Sequence, residues 1–471
     1  MRNGAWIPPI VLTLLLTAAG CAPTAFNVRD YGAKGDRKAN DQAAIQAAVD
    51  ACAKAGGGTV VLTPGDYLSG SIRLASNVVL RLDEGATLWA STDPAHYESP
   101  RSGHLLLAEK AERVAVIGRG VINGQGAADY GARWGAPDVP AFRTGILLFQ
   151  QCRGVAIRNI TILYSDAWTL HLKRCEDVVI DGVTIRNNPH RLNSDGIDPN
   201  SCRNVRISNC RIVAGDDCIV LKATEAFPCE NIEVTDCVLE STTAAIKFGT
   251  ESYGDFRNVR IWNCTVVNSP VGVGFYLKDG GTMERIFVSN IGMEICDASH
   301  HAVAPIFMDI ERRNADSKVG RIHDVTFENI RIHCGSGALI QGMPESPIEN
   351  LSLRNIIIRV DKPDDYAKRS KPVGGRRTTR DDRDTCYARL PAYMAIAHVR
   401  GLVLENIRVE ISAAAFKAFP RSALAGRDID GAVIRNLLRV PDGEAGGVRD
   451  VDLVDCRNIR MENGAPEAAR K

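Results

Sequence analysis

Three carboxylates carry the chemistry this chain can offer: Asp195 in Asn193-Ser194-Asp195-Gly196-Ile197-Asp198, and Asp216 and Asp217 in Gly215-Asp216-Asp217-Cys218. A carboxylic acid held beside ionised carboxylates can protonate a leaving oxygen while a neighbour draws a proton from water, the division of labour that glycosidic cleavage needs. Asp195 and Asp216 must then sit on adjoining layers, about 4.8 Å apart. A bend at Gly215-Asp216-Asp217 must also turn both side chains to one side, because neighbours on a flat strand point apart. Such crowding raises at least one pKa. Two plainer readings compete: Asp at turns binding its own backbone, the role expected for Asp198, and calcium binding by the cluster. A doubled Asp in a stacked coil carries a repulsion that turn geometry does not require, which favours the chemical reading.

The elements that position these groups repeat. Cys175-Glu176-Asp177-Val178, Cys202-Arg203-Asn204-Val205, Cys229-Glu230-Asn231-Ile232 and Phe256-Arg257-Asn258-Val259 each open a segment of 27 residues, and Asn209-Cys210, Asp236-Cys237 and Asn263-Cys264 keep the same interval. Short Val/Ile alternations separated by polar turns, at this period, predict an all-β parallel β-helix. Asn204, Asn231 and Asn258 are expected to form a ladder of turn hydrogen bonds. Stacked coils make one elongated body, so the length of 471 residues does not imply two domains. The net charge of +1 gives nucleic-acid binding no electrostatic support.

Residues 1–20, with an apolar run from Ile7 to Leu16 ahead of Thr17-Ala18-Ala19-Gly20-Cys21, read as a secretion signal too short for a membrane span. The position of Cys21 resembles a bacterial lipid-modification site, with ordinary cleavage as the alternative. The expectation is export, either to the outer membrane or periplasm as a lipoprotein or by secretion. The 14 cysteines fall in shared registers and read as small apolar side chains inside the coils, a few disulfides remaining an alternative. No metal motif is spaced among them, and no cofactor is expected.

Residues 21–70 read as a lead-in and cap, with a helix begun by Asn40 or Asp41, facing inward through Ala44, Ile45, Ala48, Val49 and Cys52, and ended by Gly56-Gly57-Gly58. The coils are expected over 71–460, interrupted by charged residues 361–389 and resuming at Val403, with a disordered tail at 461–471. Thr92–Gly103 and Ala127–Phe142, the latter with Tyr130 and Trp134, read as loops that wall a groove. Gly118 to Gly126 lacks a cofactor-binding context and reads as turns. His300-His301 read as loop polarity or a substrate contact rather than a metal site.

Asn193-Ser194-Asp195 and Gly215-Asp216-Asp217-Cys218, in these surroundings, resemble glycoside hydrolase family 28, the polygalacturonase and rhamnogalacturonase family. Phe26–Leu68, Trp168-Thr169-Leu170-His171, Pro391-Ala392-Tyr393 and Arg427-Asp428-Ile429-Asp430-Gly431 resemble further segments of that family in order, over nearly all of the chain after its leader. The resemblance implies a right-handed parallel β-helix and inverting hydrolysis without metal or covalent intermediate. The position of Asp216 is that of the general acid, and those of Asp195 and Asp217 activate water. The chain departs from the family at two motifs. The family's Gly-His-Gly falls at Thr243-Ala244-Ala245, placing Ala244 at the His position, and its Arg-Ile-Lys at Tyr276-Leu277-Lys278.

Candidate substrate contacts are therefore Lys278, Tyr276, Asn193, Lys222, Lys247, Glu251, Trp168 and His171. The lysines are candidates for binding a sugar carboxylate or for balancing an acidic groove, Glu251 for orienting Lys278 or meeting sugar hydroxyls, and Trp168 for stacking or coil-edge packing. His171 fits a hydrogen-bonded structural residue better than a catalyst. The expected function is hydrolysis of a galacturonate-containing polysaccharide or oligosaccharide, of polygalacturonan or rhamnogalacturonan type, by a monomer. The alternatives are a uronate lyase and a non-catalytic carbohydrate-binding protein.

Overall fold

The computed structural model describes residues 25–99, 102–126, 142–296, 303–361, 392–418, 420–440 and 450–462. They form a right-handed parallel β-helix in which the coils around the acidic residues give one strand to each of three faces. The 27-residue period becomes a register: Val178 pairs with Val205, Val205 with Ile232, and Ile232 with Val259. On a second face Ile185, Ile212, Leu239 and Val266 stack the same way. Alternation sends these aliphatic side chains inward, where they are almost wholly buried in one continuous core. Cys175, Cys202 and Cys229 are buried in one register, and Cys210, Cys237 and Cys264 in another, and all six are free thiols.

The polar turns also stack. Asn204, Asn231 and Asn258 all take left-handed φ, between 54° and 56°. Each amide donates to the residue one coil before it: Asn204 to Asp177 at 2.9 Å, Asn231 to Asn204 at 3.0 Å and Asn258 to Asn231 at 3.0 Å. A second ladder runs from Asn263 through Asn290, Asn329, Asn355 and Asn406 to Asn436.

Gln42–Lys54 is the expected capping helix, burying Ile45, Ala48, Val49 and Cys52 completely while Ala44 stays partly buried. Asn40 supplies the bond to the Gln42 amide, whereas the Asp41 carboxylate turns back to the amides of Lys34 and Gly35.

Four boundaries differ from the sequence reading. Residues 25–70 already join the stack: Phe26 pairs with Val60, and Val60 with Leu80, because strands this short satisfy their backbones only by joining it. Thr92–Gly103 holds a one-turn helix at Pro94–His96 and buries Tyr97, whose hydroxyl donates to the Ser91 carbonyl. The coils resume at Ala392 rather than Val403, and strand Arg457–Glu462 runs into what was read as the tail. The leader with Cys21, residues 127–141 with Tyr130 and Trp134, His300-His301, residues 362–391 and those after 462 lie outside the described residues.

Candidate active site

One corner of three consecutive coils carries the acidic groups. Asp195 lies two residues before strand Ile197–Asn200, Asp216 and Asp217 precede Ile219–Ala223, and Thr243 precedes Ala244–Ser252. The amide of Gly196 donates to the Asp217 carbonyl at 2.9 Å, and that of Cys218 to the Ala244 carbonyl at 3.0 Å. Asp195, Asp217 and Ala244 therefore stack.

The loop bearing Asp195 is held by buried polar groups. Asn187 donates to Thr169 Oγ1 at 2.8 Å and to the Ser194 carbonyl at 2.9 Å, and Arg191 pairs with Asp166 at 2.8 Å. Gly215 has no room for a side chain: a Cβ there would lie 2.4 Å from the Asn188 carbonyl oxygen and 2.5 Å from that of Arg191. Gly196 is confined in the same way by the Cys218 carbonyl oxygen, at 2.4 Å. These glycines let neighbouring coils close to the distance at which the carboxylates meet.

The bend turns both members of the doubled Asp toward one hydroxyl. Thr243 Oγ1 lies 2.9 Å from Asp216 Oδ1 and 2.8 Å from Asp217 Oδ1. Asp216 Oδ2 accepts from the Asn193 amide at 3.1 Å and more weakly from its side chain at 3.5 Å. Lys247 Nζ sits 2.7 Å from Asp217 Oδ2. Lys222 Nζ lies 3.9 Å from Asp195, 4.0 Å from Asp198 and 3.3 Å from Glu251, and 4.6 Å from the centre of the Trp168 ring.

Burial dominates the electrostatics. It raises the pKa of Asp216, with the charge of Asp217 adding to the effect, and it raises that of Asp195 well above the ordinary carboxylate value, helped by Asp198 and Asp216. Burial lowers the tendency of Lys222 and Lys247 to hold a proton, but the surrounding carboxylates outweigh it and both move up. For Glu251, burial opposes ionisation, yet Lys222 holds it down to about 2. The corner thus combines carboxyls that retain protons with carboxylates neutralised by lysine, the asymmetry required for acid/base cleavage. Among the described residues no group of His, Cys, Asp and Glu is arranged to hold a metal ion.

The other expected residues are placed as follows. Trp168 meets His171 edge-on at 4.8 Å, and burial, with His104 and Lys222 nearby, lowers the His171 pKa to about 3, so this imidazole is neutral and contacts Asn200 at 3.2 Å. Tyr276 lies 4.6 Å from Phe307 and 5.2 Å from Lys247 Nζ, at the start of an apolar cluster with Ala244, Val271, Ala304 and Leu339. Lys278 is only 2 % exposed and ion-paired with Glu311, so its charge is matched within the protein. Glu251 accordingly pairs with Lys222, not with Lys278. Asp198 also departs from the turn role: it lies within a strand, wholly buried, with neither carboxyl oxygen meeting a hydrogen-bond donor among the described residues. Burial raises it to about 8.

Sequence reasoning missed Thr243. It placed the departure from the family at Ala244, which carries no polar group, whereas the preceding residue touches both carboxyls. The signal was present, since Thr243 lies one 27-residue repeat after Asp216.

The model of "Glycosyl hydrolases family 28" matches residues 52–371, more than half of the chain. A "Probable polygalacturonase" of Vitis vinifera is 27% identical over 395 residues, covering 74% of this chain and 77% of the relative. An exopolygalacturonase of Zea mays is 25% identical, covering 65% and 76%. Among solved structures, a hyperthermoactive exopolygalacturonase from Thermotoga maritima superposes with a TM-score of 0.64 at 25% identity, covering 72% of this chain and 87% of that one. With the coil register and the carboxylate corner already in place, these matches show that the chain belongs to glycosyl hydrolases family 28 and is a glycoside hydrolase.

Proposed function

We propose that this hydrolase cleaves galacturonate-containing chains, of polygalacturonan or rhamnogalacturonan type, in a single displacement with inversion. Asp216 gives its proton to the leaving glycosidic oxygen, and Asp195 and Asp217 orient and deprotonate the attacking water. The observation that carries this reading is the stacking of Asp195 against Asp217 beside a partly exposed Asp216 whose pKa is raised by burial and by Asp217. A raised acid next to lysine-neutralised carboxylates supplies both halves of general acid/base catalysis, about 10²- to 10⁴-fold for each proton transfer. The polygalacturonase names of the relatives support an acidic pectic substrate. Asn193 orients the acid, while Lys222, Lys247, Tyr276, Trp168, His171 and Glu251 line the approach.

One distance favours a second course. The single-hydroxyl bridge holds the carboxyls of Asp216 and Asp217 closer than the roughly 6.5–9.5 Å usual for an inverting pair. A retaining mechanism, with a carboxylate attacking the sugar, would use such closeness, and the anomeric form of the first product distinguishes the two.

The test of substrate and reaction class is incubation of the protein with polygalacturonic acid, rhamnogalacturonan and their oligomers, with products read by mass. Products heavier by one water than the corresponding unsaturated fragments support hydrolysis. Ultraviolet-absorbing unsaturated ends would show a lyase, and binding without products a carbohydrate-binding protein. We also propose export, with Cys21 as the lipidated residue. Labelling by a palmitate analogue in a bacterial host that is lost in Cys21→Ser supports the anchor; release of soluble, unlabelled protein favours secretion.

A further inference from the structure

We propose that Thr243 is a positioning residue whose hydroxyl returns the proton from Asp217 to Asp216 after each turnover. The inference rests on the assignment of Asp216 as acid and Asp217 as a water-activating base. A hydroxyl has one hydrogen and two lone pairs, so it cannot donate to two carboxylates at once. Yet Thr243 Oγ1 is within 2.9 Å of one and 2.8 Å of the other. The arrangement is satisfied when Asp216 is protonated: its O–H donates to Thr243, and Thr243 donates to Asp217.

Lys247 sets that direction. Its ammonium lies against Asp217 Oδ2, so the negative charge belongs at Asp217 and the proton at Asp216. The position of the hydroxyl is fixed from behind. The Thr243 amide donates to Ser241 Oγ at 2.8 Å, Ser241 Oγ donates to the Asp216 carbonyl at 2.6 Å, and Thr242 Oγ1 donates to the Gly215 carbonyl at 2.6 Å. Ala244, next in the chain, has nothing to contribute.

Inverting hydrolysis leaves this pair in the wrong protonation state. Asp216 has lost its proton to the leaving oxygen, and Asp217 has gained one from the water whose oxygen is now bonded to the sugar. With Oδ2 held by Lys247, the new proton resides on Oδ1, facing Thr243. Return then breaks the Asp217 O–H bond as Thr243 Oγ takes that proton, and breaks the Thr243 O–H bond as Asp216 Oδ1 takes the other. One proton moves, charge is conserved and no further reactant is needed. Asp217 is 1% exposed, so the bridge supplies a path that bulk water does not.

The experiment compares wild type, Thr243→Val, Thr243→Ala and Thr243→Ser across pH on the polysaccharide that wild type cleaves, with folding checked by circular dichroism. Val and Ala are expected to lower kcat about 10- to 100-fold, below the full cost of losing an acid or base. KM should change little, and the alkaline limb of the kcat profile should move to lower pH because protonated Asp216 loses its acceptor. Ser should restore both. A wild-type profile in Val and Ala overturns the proposal, as does Ser failing like Val, which would make the methyl group the important part. An alkaline limb moved to higher pH also overturns it, by showing that the hydroxyl hydrogen points to Asp216 in the resting enzyme. Asp216→Asn measured alongside separates the two levels: if that variant stays active, the acid assignment itself fails.

Discussion

Two polar corners of the same coils, built from equally short side chains, differ in how their hydrogen bonds close. At the Asn204–Asn231–Asn258 corner each amide donates to the coil before and accepts from the coil after. At the Asp195–Asp217 corner, stacked carboxylates have only acceptors to offer, so the corner closes only with protons, lysines or a hydroxyl. An amide is its own complement and can repeat indefinitely, whereas a carboxylate cannot. The first corner supports the fold, and the second holds the charge asymmetry that chemistry uses.

The largest effect that would break this comparison is expected from Asp216→Asn. It should lower kcat by about 10²- to 10⁴-fold while leaving the thermal midpoint at or above that of wild type. A variant that loses its fold with its activity would place Asp216 among the structural polar groups.

The next effect is on stability against pH. Because the folded-state value of Asp198 is about 8, above the unfolded value of about 4, the native state binds more protons in that window. Its contribution therefore weakens stability progressively as pH rises from about 4 to about 8. Melting scans should show a shallower decline in Asp198→Asn than in wild type. A steeper decline would mean that the buried carboxyl is stabilised as an anion.

A smaller and opposite result is expected at the ladder. Asn231→Ala removes a donor to Asn204 and an acceptor for Asn258, and leaves at φ 56° a side chain without the local hydrogen bonding by which Asn tolerates the left-handed region, for a loss of roughly 1–2 kcal/mol. Chemical denaturation measures that loss, and kcat/KM should stay within about twofold of wild type, as expected for a site that makes no transition-state contact. Asn231→Gly, which accepts the left-handed backbone, should lose less. The smallest change is expected from Glu251→Gln. The Glu251 pKa of about 2 lies below its unfolded value, so its contribution is present above about pH 4 and is lost as pH falls toward 2. The variant should differ least from wild type at the acid end of the melting series.

Much of this was legible in the sequence because repetition made it so. The registers of Cys175, Cys202 and Cys229, of Val205 and Ile232, and of the Asn ladder follow from the interval alone. The grouping of Asp195 with Asp216 and Asp217 followed from the same interval. What escaped depended on three-dimensional partners. The ion pair of Lys278 with Glu311, 33 positions away in the chain, has no signal in the spacing of either residue. Asp198 has turn chemistry in its side chain but falls within a strand under Lys222. Thr243 shares the repeat position of Asp216, 27 residues earlier, whereas the family motif points one residue further on, to Ala244. The first described strand, Ala25–Asn27, is too short to show alternation.

Hydrolysis by inversion with Asp216 as the acid leaves a stereochemical signature in the product. It is tested most directly by proton NMR of the first-formed product of an α-linked galacturonide oligomer, recorded before mutarotation, for wild type and Asp216→Asn. An initial β-anomer is expected from wild type, and no product from the variant over the same interval. An initial α-anomer would contradict inversion and favour a covalent intermediate at the closely bridged carboxyl pair, and undiminished product from Asp216→Asn would contradict the acid assignment.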